Sequence, residues 1–224
     1  MKEHQVTHYC AAPIVHGLLV NSDDSLKEGV PHGVKAMVAG AAPPASMIEG
    51  MEKLGFDLTH VYGLTETYGP AAVCVKHEAW DELPISQRAT NNARQGMRYH
   101  LQDGMVVMDP TTMQPVPADG QTMGEIMFRG NITMKGYLKN PQATHEAFSG
   151  GWFHTGDIGY IDDEGFLFIT DRKKELFKLS TGKYIAPTPL ENKLLTIAGV
   201  DQAMIVGENE KFCGALIVPM VGYP

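Results

Sequence analysis

His60-Val61-Tyr62-Gly63-Leu64-Thr65-Glu66-Thr67 is the stretch around which the rest of the sequence arranges itself. Between Tyr62 and Glu66 it offers a tyrosine, a glycine turn, a hydroxyl and a carboxylate. Those parts supply a ring face for a base, close backbone approach, a hydrogen bond to phosphate and a hard oxygen ligand for Mg²⁺. Leu58 to Tyr62 reads as a short strand that delivers the Gly63 turn at its carboxyl end. Upstream, Val34 to Ala39 is an apolar run that ends in Gly40-Ala41-Ala42-Pro43-Pro44, a strand entering a Gly/Pro loop. Ser46 then opens a helix: Ser46-Met47-Ile48-Glu49 has capping-box spacing, Met47, Ile48, Met51 and Leu54 share one face, and Gly55 ends it. Val6 to Val20 reads as a strand followed by a short helix. This order implies a parallel sheet with ligand loops along one edge. Taken singly, the Gly63 segment is also readable as a strand end with a polar turn, and the Gly40 segment as a plain loop.

The 224 residues suffice for one large domain or two smaller ones. A hydrophobic content of 43% with 20% charged residues is that of a globular chain. The net charge of −8 argues against a nucleic-acid partner held by a basic surface. It leaves room for a nucleotide, whose phosphates need only a local cluster of donors. Cys10, Cys74 and Cys213 are far apart and odd in number, which fits a reduced, cytoplasmic protein better than a disulfide framework. No apolar run approaches the roughly 20 residues of a membrane span, and Met1 to Gln5 lacks the apolar core of a signal peptide. His4, His8, His16 and Cys10 match no established zinc spacing.

From Gly96 the texture changes. Met105 to Met108, Gly124 to Arg129 and Gly165 to Thr170 are short segments divided by turn signals such as Asp109-Pro110 and Asp119-Gly120, and read as antiparallel strands. Asp171 to Lys174 is a charged break and a candidate boundary. Beyond it Pro189 to Leu195 reads as helix, and Gln202 to Val206 and Gly214 to Val218 as strands. The expected domains are therefore 1–95, 96–170 and 171–224.

Two further signatures follow the first: Gly151-Trp152-Phe153-His154-Thr155-Gly156-Asp157 and Asp171-Arg172-Lys173-Lys174-Glu175. Taken in that order, the three resemble the AMP-forming acyl-CoA synthetase family of adenylate-forming enzymes, which also contains luciferases and peptide-synthetase adenylation domains. The wording from Asp171 onward is similar to long-chain fatty acyl-CoA synthetases, and the wording before it to the medium-chain and general acyl-activating branch. The resemblance implies an α/β plus β fold. It would be the distal part of the family's N-terminal domain, with a parallel sheet edge and a small antiparallel β-subdomain, and then the start of a small α+β C-terminal domain. It implies that Tyr62 packs on adenine beside Gly63, with Gly40, Ala41, Ala42 and Pro43 as the adenine-side loop. Thr65 would contact the α-phosphate and Glu66 would bind Mg²⁺. Asp157 would accept the ribose hydroxyls, as a carboxylate suits a vicinal diol, and Arg172 would reach the ribose. Asp171 would be the hinge. Lys178 would serve the second half-reaction, and Gly182 would line the pantetheine channel.

The implied activity joins a fatty or other apolar carboxylic acid to ATP, releases diphosphate, and passes the acyl group from acyl-AMP to coenzyme A. Two elements of the family pattern are not found: the Ser/Thr/Gly-rich phosphate loop ending in Pro-Lys-Gly, and the lysine of a later Gly-Lys loop. The expectation is an incomplete portion, inactive alone. The alternatives are a non-catalytic AMP-binding module and a fragment that needs a complementary upstream chain. The charged break predicts that trypsin cleaves first near Arg172 to Lys174 and leaves a folded N-terminal piece. Earlier attack at Arg88, Arg94 or Arg129 in a time course followed by mass spectrometry would contradict a hinge there.

Overall fold

Alternation of buried and exposed positions sets the first sheet. In β2 (Lys35–Val38) Ala36 and Val38 turn inward. Strand β1 (His8–Ala11) precedes it, followed by helices α1 (Pro13–Val20) and α2 (Asp24–Lys27). After β2 come α3 (Ala45–Lys53), β3 (Asp57–Leu64), β4 (Gly69–Val73), α4 (Ile85–Asn92) and β5 (Met97–Arg98). The sheet order is β1-β2-β3-β4-β5. Pairs β1–β2 and β2–β3 are parallel, whereas β3–β4 and β4–β5 are antiparallel. The computed structural model describes residues 1–30, 33–172, 177–181, 184–185, 187–195, 197 and 199–220.

Met47, Ile48 and Met51 of α3 close over Ala36, Val38 and Leu58 of the sheet, with Phe56 just before β3 and Ala89 of α4 beside them. Ile48 and Met51 have no solvent exposure, and truncating such a side chain to alanine costs about 2–5 kcal/mol. The helix start differs from the sequence reading. Residue 44, not Ser46, is the N-cap, and no side chain caps the helix. Pro43 before Pro44 is barred from the helical region, so the helix opens directly after the second proline. Ser46 falls inside the first turn, while Gly55 ends the helix at φ +86° as expected.

Gly63 is a strand residue, not the turn. A Cβ there would stand 1.9 Å from the Gly69 carbonyl oxygen, so only glycine lets β3 and β4 approach this closely. The reversal falls at the short helical turn Thr65–Thr67, followed by Tyr68 at φ +56°.

The second sheet is built from β6 (Gly104–Asp109), β7 (Gln114–Pro115), β8 (Gly124–Arg129), β9 (Phe153–Ile161) and β10 (Leu167–Arg172), with α5 (Pro141–Ala147) between β8 and β9. Its order is β10-β9-β8-β6-β7, antiparallel throughout. Of the charged run Asp171 to Lys174, Asp171 and Arg172 are the last residues of β10, with Asp171 buried, and Lys173 and Lys174 lie outside the described residues. Val107, Ile126, Phe128, Phe153 and Leu167 pack with Ala71 and Ala72 of β4, which joins the two sheets through one apolar core. Then follow β11 (Phe177–Lys178), β12 (Tyr184–Ile185), α6 (Pro187–Leu194), β13 (Val200–Val206) and β14 (Gly214–Pro219). Leu179, Ile185 and Ile205 form their core. Among the described residues no helix is long and apolar enough to cross a membrane.

Arg94, just after α4, fastens the first sheet to the β9–β10 turn. Its guanidinium lies 3.6 Å from the Phe166 ring centroid and 5.1 Å from that of Trp80, and it reaches Asp162 at 3.2 Å and Glu164 at 2.8 Å. Arg94 is only 8% exposed, so removing it strands the partly buried Asp162. Arg94→Met should lose roughly 2–3 kcal/mol in urea unfolding, below the range for a fully buried pair because Glu164 is solvated. Glu164→Gln, at a solvated carboxylate, should leave the urea midpoint nearly unchanged. Equal losses would mean that the arginine acts only as a surface charge.

Candidate functional site

Strand β3 runs out of the first sheet toward the second, and its end carries Tyr62. Tyr62 leans on Phe128 with ring centroids 5.9 Å apart. Its hydroxyl donates to Asp157 Oδ2 at 2.5 Å. Arg172 Nε approaches the other carboxylate oxygen, Oδ1, at 3.2 Å. Asp157 is 4% exposed, so the charge sits where water reaches little of it and both partners are needed to offset its desolvation. Burial, then the neighbouring Asp157 charge, drive the Tyr62 hydroxyl well above the usual tyrosine range. Tyr62 therefore stays a proton donor at every physiological pH.

A β-bulge aims Asp157. Between the pairs Met127–His154 and Glu125–Ile158, β8 advances two residues while β9 advances four. Thr155, Gly156 and Asp157 therefore lie opposite the single residue Ile126, two more than regular pairing would place there. Gly156 adopts φ +73°, which glycine reaches without strain. Thr155 Oγ1 donates to the Ile126 carbonyl at 2.7 Å and accepts from the Asp157 amide at 3.0 Å. Glu125 Oε1 accepts from the Gly156 amide at 3.1 Å.

A cleft of about 510 Å³ opens in front of Asp157. One wall is Gly40, Ala41 and Ala42, all solvent-exposed; another is His60 to Leu64; the floor carries Asp157, Asp171 and Arg172. Thr188 of α6 reaches the same cleft and donates to Asp171 Oδ1 at 3.4 Å. An adjoining cleft of about 650 Å³ shares Val61, Gly63, Leu64 and Arg172 and adds Thr65 and Glu66. Thr65 is exposed. The Glu66 carboxylate accepts from the Tyr137 hydroxyl at 3.0 Å, and its backbone carbonyl accepts from the Met134 amide at 2.7 Å. Thr67 is the staple of the turn: its hydroxyl accepts from the Leu64 amide at 2.9 Å and lies 3.0 Å from the Leu64 and Gly69 carbonyls.

Most of the expected site residues thus meet at two joined clefts: Gly40, Ala41, Ala42, Tyr62, Gly63, Asp157 and Arg172 at the first, Thr65 and Glu66 at the second. Pro43 is buried behind its loop and lines neither. Lys178 lies on β11, where its carbonyl accepts from the Asn209 amide at 2.8 Å, and lines neither cleft. Gly182 lies outside the described residues. Residues not singled out in the sequence also enter: His60, Thr67, Glu125, Tyr137 and Thr155. His60 and Thr67 stood in the first quoted stretch and Thr155 in the second, without a role; Glu125 and Tyr137 stood in neither.

His60 is 2% exposed beneath the cleft, and its Nδ1 has no hydrogen-bond partner among the described residues. Burial lowers its pKa to about 4, against smaller opposing contributions from the backbone of Asn92 to Arg94. The folded chain keeps His60 neutral where the unfolded chain, at 6.5, already takes a proton. Stability is therefore unaffected above pH 6.5 and falls as pH drops from 6.5 toward 4, by about 3 kcal/mol from this group. His60→Gln should flatten that part of the curve of unfolding free energy against pH. Wild-type and variant curves of the same acid slope would contradict the assignment.

A model of the AMP-binding enzyme family matches residues 1–138, and a model of the AMP-binding enzyme C-terminal domain matches residues 174–223. The chain is 45% identical to an acetate–CoA ligase of Humulus lupulus over 213 residues, covering 95% of this chain and 37% of that protein. It is 46% identical over 211 residues to a peroxisomal acetate/butyrate–CoA ligase of Arabidopsis thaliana, covering 93% and 37%. It therefore spans less than two-fifths of the length of these relatives. Among solved structures, o-succinylbenzoate coenzyme A synthetase from Bacillus subtilis, in complex with ATP and a magnesium ion, superposes with a TM-score of 0.78 at 25% identity, covering 97% of this chain and 42% of that one. With one family model matched over more than half of its length and close relatives along nearly all of it, the chain belongs to the AMP-binding enzymes, the family of AMP-forming acyl-CoA synthetases.

Proposed function

We propose that this chain is the nucleotide-facing portion of an AMP-forming acid–CoA ligase. The observation that carries the reading is the buried Asp157 carboxylate, aimed by a bulge into a cleft walled by Gly40-Ala41-Ala42 and Tyr62. In this reading the ribose hydroxyls donate to Asp157. A carboxylate has about four lone-pair directions, so it can receive them while Tyr62 and Arg172 still donate. The flat wall at Gly40 to Ala42, where a Cβ on Gly40 would meet nothing within 4 Å, leaves space for a purine. Thr65, exposed on the second cleft, donates to the α-phosphate.

The donor set fits Mg²⁺. Glu66 presents a hard oxygen at the cleft, and Mg²⁺ commonly takes one or two carboxylates plus phosphate oxygens and waters. When bound, the metal would neutralise charge on the phosphates. The acid's carboxylate oxygen attacks the α-phosphorus of ATP, and the bond to diphosphate breaks. The thiol sulfur of coenzyme A then attacks the acyl carbonyl; its proton is lost and AMP departs. The chain's own contribution is positioning and charge compensation at the phosphate. Lys178 and Gly182 are assigned to the thiol half-reaction. Residues 1–95 and 96–170 are read as two parts of one nucleotide domain, and 171–224 as the hinge and the start of a smaller one. The names of the relatives above, acetate and butyrate ligases, favour a small aliphatic acid within the wider apolar class. Three thiols without disulfides suit a reducing compartment such as the cytoplasm.

Calorimetry with AMP on the 224-residue chain tests the reading. Asp157→Ala should weaken AMP at least about tenfold, since a hydrogen bond to a charged group contributes roughly 1.5–3 kcal/mol. Asp157→Asn, which keeps shape and partners for Tyr62 and the ribose, should fall between. Unchanged AMP affinity in folded Asp157→Ala would mean that the ribose is held elsewhere.

A further inference from the structure

Glu125 is a second buried carboxylate, 2% exposed on β8, and nothing above gives it a part in holding substrate. Its oxygens are divided. Oε1 accepts from the Gly156 amide at 3.1 Å, and Oε2 lies 3.1 Å from His154 Nδ1. The other ring nitrogen of His154, Nε2, lies 3.1 Å from the Ser149 carbonyl. A carbonyl has no proton to give, so Nε2 carries the hydrogen and donates. That fixes the ring. Nδ1 then faces Glu125 Oε2, so the ring spans from the Ser149 turn to the carboxylate.

The other titratable groups on elements packed against the pair have partners of their own or face solvent. Asp157 on β9 is held by Tyr62 and Arg172, and Asp171 on β10 accepts from the Arg172 amide. Asp109 on β6 accepts from the amides of Thr111 and Thr112. On α5, Glu146 accepts from Gln142, and His145 is exposed.

We propose that Glu125 and His154 are positioning residues that set the direction of Asp157; this rests on the reading of Asp157 as the ribose carboxylate. The bulge takes the Gly156 amide out of the strand ladder, and Glu125 is the acceptor that receives it. His154 ties that acceptor to the Ser149 turn, so Glu125 cannot swing away. The residue after Gly156 is Asp157, and its backbone direction is fixed by this clamp. Tyr62 and Arg172 then act on a carboxylate that already points into the cleft.

The test compares Glu125→Leu with Glu125→Gln in the 224-residue chain. A glutamine oxygen can accept from the Gly156 amide while its amide N–H donates to Nδ1, so it rebuilds both bonds with a neutral ring. A leucine rebuilds neither and leaves a buried N–H unpaired. With AMP as the calorimetric probe, Glu125→Leu should lose about tenfold in affinity, and Glu125→Gln should stay within about threefold of wild type. Amide exchange at Gly156, followed by NMR without ligand, should speed up about tenfold or more in Glu125→Leu and stay slow in Glu125→Gln. Where Glu125→Leu fails to fold, His154→Ala carries the same two readouts. Wild-type AMP binding with equal affinity and equal Gly156 exchange in the apolar variant overturns the positioning role and leaves the ribose reading standing. No AMP binding by the wild type overturns the ribose reading, and with it the purpose of the clamp. Gly156 exchange, read without ligand, still shows whether the clamp exists.

Discussion

The hydrogen bond from Tyr62 to Asp157 is the constraint around which the two sheets are organised. It joins the end of β3 to the bulge of β9 at 2.5 Å, and the carboxylate it reaches is 4% exposed. An ion removed from water this far is tolerated only when its partners are fixed in place. Tyr62 is fixed by Phe128 of the second sheet, and Arg172 by its pairing opposite Asp157 in the β9–β10 register. The charge thus fixes how the two sheets meet, and the cleft is the space left over where they meet.

The apolar side of the same junction is made of small residues. Ala71 and Ala72 on β4 let Ile126, Phe128 and Phe153 close against the strand, and Gly63 lets β3 and β4 approach without a Cβ between them. Those choices hold Tyr62 and the Thr65–Glu66 turn at one edge, next to Gly40 to Ala42 at the end of β2. A ring face, a hydroxyl and a carboxylate are presented together because three strand ends converge there. Membership in the AMP-binding enzymes agrees with that convergence. The second sheet contributes the charged floor, and it does so through an irregularity rather than through regular pairing.

What could be read from the sequence was what is local. Apolar runs located β2, β3, β6, β8, β13 and β14, and the shared face of Met47, Ile48 and Met51 located α3 with its core side. Family motifs named Tyr62, Glu66, Asp157 and Arg172, and the structure gathers them around two joined clefts. Hydrogen bonds between distant segments were not legible. Nothing local shows that Glu125 receives the amide of Gly156, 31 residues on, or that Tyr137 reaches Glu66 across 71 positions. The Ser46 cap was misread because the proline pair beside it starts the helix by sterics alone. Gly63 was taken for a turn because glycine's other use, close strand approach, depends on a partner strand that the local pattern does not name. Asp171 stood in a charged run, yet it is buried, with Thr188 hydrogen-bonded to it from 17 residues on.

The central claim is that the ribose diol is received at Asp157. The most direct measurement is calorimetric comparison of AMP with its 2′,3′-dideoxy analogue on the same chain. The two differ only in the hydroxyls that the carboxylate would accept. The account predicts about tenfold or more weaker binding of the analogue, with the difference vanishing in Asp157→Ala. Equal affinity of the two nucleotides for the unaltered chain would contradict it.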